Sequence, residues 1–177
     1  LLEIIDGMQM DLQQTRYLDW KALNLYCYRV ASVVGLLSAE IFGYTNRQTL
    51  KYAHDLGLAF QLTNIIRDVG EDARRGRIYL PVDELQRFKV PAKQILEGEY
   101  SDNFRELMAF QTQRARQLYD QAFAQLPPED KKTQRPGLIM AAIYRTLLDE
   151  IEADGFQVLD RRTSLTPLRK IWIAGKT

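Results

Sequence analysis

Cysteine and histidine each occur once in the 177 residues, as Cys27 and His54. One cysteine excludes an internal disulfide framework and suits a reducing compartment. With only one histidine beside it, a zinc site is unsupported. An excess of one charge is also lacking. The 24 basic and 23 acidic side chains leave a net charge of +1, so no overall field draws the chain to nucleic acid, and none is expected as a partner. No apolar run is expected to reach the length of a membrane span, and no signal peptide is visible. A cytoplasmic location is therefore expected. Strand-like alternation of useful length is missing as well.

What is present is helical periodicity. Apolar residues recur at steps of three and four, as on helices with one buried face. The chain opens "LLEIIDGMQMDL", with neither an initiator Met nor a cap. That reads as the middle of a helix, and a C-terminal portion of a longer protein is expected. The first helix should reach about Gln14. Asp19 caps a second, running to Gly43, and Asn46 caps a third, roughly Arg47 to Ala73. "RRGRIYLP" then breaks the pattern, with Gly76 and Pro81. Two short helices follow. Ser101 or Asp102 caps a long amphipathic helix ending near Leu126. "GLIMAAIYRTLLDEIEADGF" and "PLRKIWIAG" supply the last two. The expectation is one all-α domain over 1–177, with long helices around a central space.

The third helix carries the chemistry. Steps of four put Gln61, Asn64, Asp68 and Asp72 close to one face, while Leu56, Phe60, Ile66 and Val69 make most of its girth apolar. Two carboxylates and an amide oxygen on a buried helix repel one another unless partnered. Oxygen-only ligands suit Mg²⁺, which takes a couple of carboxylates and leaves room for phosphate oxygens. Arg74, Arg75 and Arg77 follow at once and could meet remaining phosphate charge. A solvated face with local salt bridges gives the same spacing, and arginines near a helix C-terminus favour the dipole without any ligand. Spacing alone leaves both readings open.

At "NIIRDVGEDARRGRIYLP" the chain resembles the squalene and phytoene synthase family. "GMQMDL", "YCYRVASVVG" and "LGLAFQLTNIIRDVGED" match its blocks in order, and "IYRTLLDEI" and "RKIW" match more loosely. The resemblance implies the isoprenoid synthase fold, with long antiparallel helices around an apolar cavity. It implies a prenyltransferase that joins two allylic prenyl diphosphates head-to-head, with Mg²⁺ or Mn²⁺ held between two aspartate-rich motifs. Asn64, Asp68 and Asp72 match the second motif and would be metal ligands, Asp68 and Asp72 also counting as catalytic. Asp11 matches an acidic residue of the site region, a weaker ligand. Arg67, Arg77 and Tyr144 would contact the diphosphate. Tyr26 would lie near the reacting carbons, and Val30, Gly57 and Gln61 would line the prenyl cavity. Cys27 is expected as a small buried residue. His54, without an obvious carboxylate partner, is expected to be structural or at the surface.

The family's first aspartate-rich motif belongs upstream of "LLEIIDGM" and is not among these residues. Ser32, where many phytoene synthases carry glycine, leans the reading towards bacterial presqualene diphosphate synthases of hopanoid pathways. The expected substrate is then farnesyl diphosphate. Phytoene synthesis from geranylgeranyl diphosphate is the alternative. A truncated or non-catalytic member that binds a lipid or partner helix is a third. The basic, apolar tail "LRKIWIAGK" suits peripheral contact with a bilayer surface, or a docked terminal helix.

Overall fold

The computed structural model describes residues 1–177. Ten α-helices follow in order: α1 (Leu2–Gln13), α2 (Trp20–Cys27), α3 (Val33–Phe42), α4 (Gln48–Arg67), α5 (Val69–Arg74), α6 (Val82–Arg87), α7 (Ala92–Leu96), α8 (Asp102–Gln125), α9 (Arg135–Ala153) and α10 (Pro167–Lys176). The protein is all-α, with a single isolated bridge between Arg16 and Ile78. Side-chain caps start three helices, with Asp19, Ser101 and Thr166 accepting from the amides of Ala22, Phe104 and Arg169. These are the orphan donors that every helix start exposes.

Helix α4 is the axis of the fold. Leu56, Leu58, Ala59, Leu62, Ile65 and Ile66 bury it on most sides. It packs most extensively against α8. The buried pair Thr63 Oγ1 and Tyr119 Oη (2.8 Å), and Gln125 Nε2 donating to Asp55 Oδ2 (2.6 Å), show that α8 runs antiparallel to α4. On the other side the approach is closer still. A Cβ on Gly57 would fall 2.8 Å from Ser32 Cα and 2.9 Å from the Ala31 oxygen, and one on Gly35 would fall 2.7 Å from the Ala53 oxygen. Ser32 Oγ donates to the His54 carbonyl at 3.0 Å.

Two boundaries differ from expectation. The second helix is one continuous run only because a π-turn, Tyr28–Ser32, joins α2 to α3. The third breaks at Asp68 (φ −104°, ψ 13°). The reason is tertiary. Gly70 N donates to Val158 O at 2.9 Å, and no side chain fits at Gly70, since a Cβ would meet the Leu159 oxygen at 2.1 Å. The segment after α9 therefore takes over the backbone bonding there and re-aims the following turn.

The run Trp20–Phe42 also corrects the membrane expectation: its 23 residues and mean hydropathy of 1.4 over an 18-residue window are long and apolar enough to span a bilayer. In the fold it packs against α4 and α1, and Arg29 within it pairs with Glu3 at 3.1 Å.

Asp130 ties the start of α4 to the turn after α8. Its carboxylate accepts from Thr45 N (2.8 Å), Thr45 Oγ1 (2.7 Å), Asn46 N (3.0 Å) and Thr49 Oγ1 (2.7 Å). Burial alone would raise its pKa, but these bonds outweigh it and hold the carboxyl at about 2. Such a depressed value stabilises the fold above the ordinary carboxylate range, and the gain is lost as pH falls through about 2. Asp130→Asn should therefore lower the melting temperature at neutral pH, with the deficit closing as the pH approaches about 2. Gly57→Ala should cost about 2 kcal/mol or more, because both clashing groups are backbone and cannot rotate away. Thermal melts of the two variants against the parent check both.

Candidate active site

The loop after α1 and the loop after α5 zip together. Ile78 N donates to Thr15 O (3.2 Å), Val82 N to Tyr17 O (2.8 Å) and Asp83 N to Leu18 O (3.1 Å). This brings Asp11 to Arg77 and Tyr79, 66 and 68 residues later in the chain. Asp11 Oδ2 accepts from Arg77 Nη1 at 2.9 Å, while Oδ1 accepts from Tyr26 Oη at 3.3 Å and from Tyr79 Oη. Both oxygens are thus engaged by chain donors. Asp11, expected as a weak metal ligand, also anchors a tyrosine cluster.

Tyr17, Tyr26 and Tyr79 pack ring against ring, with centroids 5.3–5.8 Å apart. Burial raises the Tyr26 and Tyr17 hydroxyls well above their ordinary pKa, so both rings stay neutral. Sequence reasoning named Tyr26 but missed Tyr17 and Tyr79. Tyr79 lies two residues beyond Arg77, and that proximity was the available signal.

The acidic line on α4 and α5 is unevenly partnered. Asp68 accepts from Arg67 Nε and Nη2, both at 2.7 Å, and from Arg162 Nε at 2.9 Å. Burial opposes its charge, but the two guanidiniums outweigh that and lower its pKa. Arg162, in the loop after α9, gave no sequence signal for this contact. Asp72 has no side-chain hydrogen bond. Desolvation, then the charges of Asp68, Glu71 and Asp11, push it up to about 7. Asn64 Oδ1 is buried with no partner. Asp72, Arg77 and Tyr79 line one narrow crevice, which joins the acidic line to the tyrosine cluster.

An orphaned buried amide oxygen and, about two turns along, an electrostatically strained carboxylate form with Asp68 between them a donor set that suits a hard divalent cation. No group of three or more acidic, histidine or cysteine side chains converges here. The set is thus one amide and two carboxylates, the sparse kind that suits a cation also held by phosphate.

Beside this polar end lies a cavity of about 650 Å³ between the π-turn, α3, α4 and α9. Val30, Gly57, Gln61, Asn64 and Tyr144 all line it. Tyr26, Arg67, Arg77, Asp11, Asp68 and Asp72 do not. Gly137 sits against Tyr52, and the Phe60 and Tyr144 rings meet at 5.0 Å, so α9 runs parallel to α4 along the cavity. From Asn64 to Tyr52 it follows α4 for about 18 Å.

The sequence model described as squalene/phytoene synthase matches residues 1–169. The chain belongs to that family. Over 96% of its length it is 41% identical to the phytoene synthase of Arthrospira platensis and covers 59% of that protein. Its fold is similar to a crystal structure of a dehydrosqualene synthase in complex with ligand, with a TM-score of 0.89, 29% identity, and coverage of 98% of this chain and 62% of that one. It is also similar to squalene synthase HpnC from Alicyclobacillus acidocaldarius (TM-score 0.77, 25% identity, 88% and 59% covered). The chain therefore spans somewhat more than half the length of these relatives.

Within this family member, two residues take a different part from the one expected. His54 does have a carboxylate partner, since its Nδ1 lies 3.0 Å from Asp55 Oδ1. Ser32 is fully buried against α4 and does not line the cavity, and its hydroxyl serves the helix packing through the His54 carbonyl. Cys27 is fully buried, and burial pushes its thiol up to about 12, consistent with packing alone.

The strain at Asp72 is measurable without any substrate. Its raised pKa means that the folded state gains stability as Asp72 takes up a proton, in full below the ordinary carboxylate value, and loses it as pH rises through about 7. In a chelator-containing buffer, Asp72→Asn should match the parent near pH 4 and melt several degrees higher above about pH 7. Equal melting temperatures at both ends of that range would contradict the electrostatic picture.

Proposed function

We propose that the protein is a prenyltransferase that condenses two prenyl diphosphates head-to-head. The observation that carries this is the apolar cavity running from the unpartnered Asn64 oxygen, with Asp72 and the Arg67–Asp68 pair just beyond its polar end. An isoprenoid tail fits the apolar lining, and a diphosphate fits the charged end.

Asn64, Asp68 and Asp72 would hold Mg²⁺. Bound there, it would withdraw electron density from the diphosphate and ease ionisation of the allylic C–O bond. Arg67 and Arg162 rest on Asp68, and Arg77 on Asp11. A diphosphate offers each of them a more highly charged acceptor. Tyr144, which lines the cavity together with Asn64, would donate to the same group. Tyr26, buried against Tyr17 and Tyr79 and outside the cavity lining, would support the polar end through Asp11, and ionisation would leave an allylic cation in the apolar cavity. The C2–C3 double bond of the second substrate attacks that cation, and loss of a proton to the departed diphosphate closes a cyclopropane. Asp11 positions Tyr26 and Tyr79 and takes no proton in this scheme.

For chain length, the 41% identity to a phytoene synthase, against 29% and 25% to dehydrosqualene and squalene synthases, favours geranylgeranyl diphosphate. The TM-score of 0.89 to the dehydrosqualene synthase supports the second reading, farnesyl diphosphate and presqualene diphosphate.

The full-length protein, incubated with each substrate in turn and its products extracted, separates the two. Asn64→Ala and Asp72→Asn should each lower kcat about a hundredfold or more, as loss of a transition-state charge contact does. Turnover that survives complete chelation of divalent metal would sink the ligand assignment. Failure of both substrates in the full-length protein would favour a non-catalytic, lipid-binding role.

A further inference from the structure

Helix α10 is held by one face and shows a different one. Ile173 is buried in the core, and Arg169 Nη2 pairs with Glu150 of α9 at 2.6 Å. On the other side Leu168, Ile171 and Trp172 are 80%, 69% and 60% exposed. With Gly175 these occupy positions i, i+3, i+4 and i+7, so they form one continuous apolar stripe. Docking to the body and presenting an apolar face are therefore both satisfied by the same ten residues.

The surrounding charge says what that face suits. Residues 161–177 contain Arg161, Arg162, Arg169, Lys170 and Lys176 and no acidic residue, whereas the rest of the chain is net negative. Arg161, Arg162 and Arg169 are used in ion pairs with Asp154, Asp68 and Glu150. Lys170 and Lys176 have no carboxylate partner, and the Lys176 ammonium lies 3.8 Å from the centre of the Trp172 ring. An exposed aromatic and two aliphatic side chains flanked by unpaired lysines form the pattern of a helix that lies in a bilayer interface, apolar face in the acyl boundary and cations at anionic headgroups. The exposed apolar residues of α1 and α3, such as Leu2 and Ile41, lack such flanking cations and name no occupant.

We infer that α10 is a membrane-docking element that binds anionic lipid surfaces through Leu168, Ile171 and Trp172, with Lys170 and Lys176 as the headgroup contacts. The inference is independent of the proposed reaction. It also joins the two sequence expectations for the tail, a docked helix and a bilayer contact.

The test is flotation of the full-length protein with vesicles of phosphatidylcholine alone, or of phosphatidylcholine mixed with phosphatidylglycerol. Binding to the anionic vesicles only, weakened by added salt, is expected. Trp172→Ala and the double change Leu168→Ala/Ile171→Ala should abolish it. Lys170→Glu and Lys176→Glu should each lower the partition by about tenfold, since a single cation near an anionic surface is worth about fivefold and reversal adds repulsion. All five positions are exposed, so melting temperatures should stay at the parent value, which separates lost docking from lost folding. Equal flotation with both vesicle types would overturn the headgroup role. No flotation, together with concentration-dependent self-association that Trp172→Ala removes, would assign the stripe to a second copy of the chain instead.

Discussion

The near-contact of two helix backbones is the constraint on which the rest depends. Gly57 on α4 rests against Ala31 and Ser32 of the π-turn, and Gly35 rests against Ala53. That approach fixes where α3 stands relative to α4, and the cavity is the space these two leave in front of α9. It also accounts for Ser32. A small residue whose hydroxyl can bond to the His54 carbonyl is what a gap of that size admits. The π-turn itself widens the helix by one residue per turn locally, a geometry that tends to occur at functional sites.

The charged end is built from pairs rather than from free ions. Most arginines near the acidic line have a carboxylate: Arg67 and Arg162 share Asp68, Arg77 takes Asp11, and Arg75 takes Glu71, while Arg74 donates to the Leu159 carbonyl. Acid and base adjoin in the sequence because each stabilises the other in the free protein. Only Asp72 and the Asn64 oxygen are left without donors. The polar end is thereby preorganised at modest electrostatic cost, with its unfavourable charge confined to one carboxylate.

Much of this was legible in the residues. Apolar periodicity and capping residues gave the all-α class and the helix starts at Asp19 and Ser101. Steps of four gave the line Gln61, Asn64, Asp68 and Asp72. Long-range partners were not legible. The helix break at Asp68 is caused by Val158 and Leu159, the second guanidinium on Asp68 comes from Arg162, and the fate of Asp11 depends on a loop pairing across more than sixty residues. Trp20–Phe42 reaches the length and hydropathy of a span although Asn24 and Arg29 interrupt it, because its aliphatic residues hold the mean up.

The clamp on Gly70 has a consequence for how the molecule comes together. The turn that carries Asp72 takes its shape from Val158 and Leu159, which are held in turn by the Tyr100 hydroxyl accepting from Leu159 N at 3.1 Å. Three stretches distant in the chain must meet before the acidic line acquires its bend. Such distant contacts are slow to form, because the entropy of closing the intervening loops is lost before the contacts repay it. Local helices can therefore be complete while the polar end is still unmade. During synthesis from the N-terminus, Asn64, Asp68 and Asp72 leave the ribosome long before the residues that set their geometry. The charged end is a late product of folding, assembled only when residues 158–162 are in place.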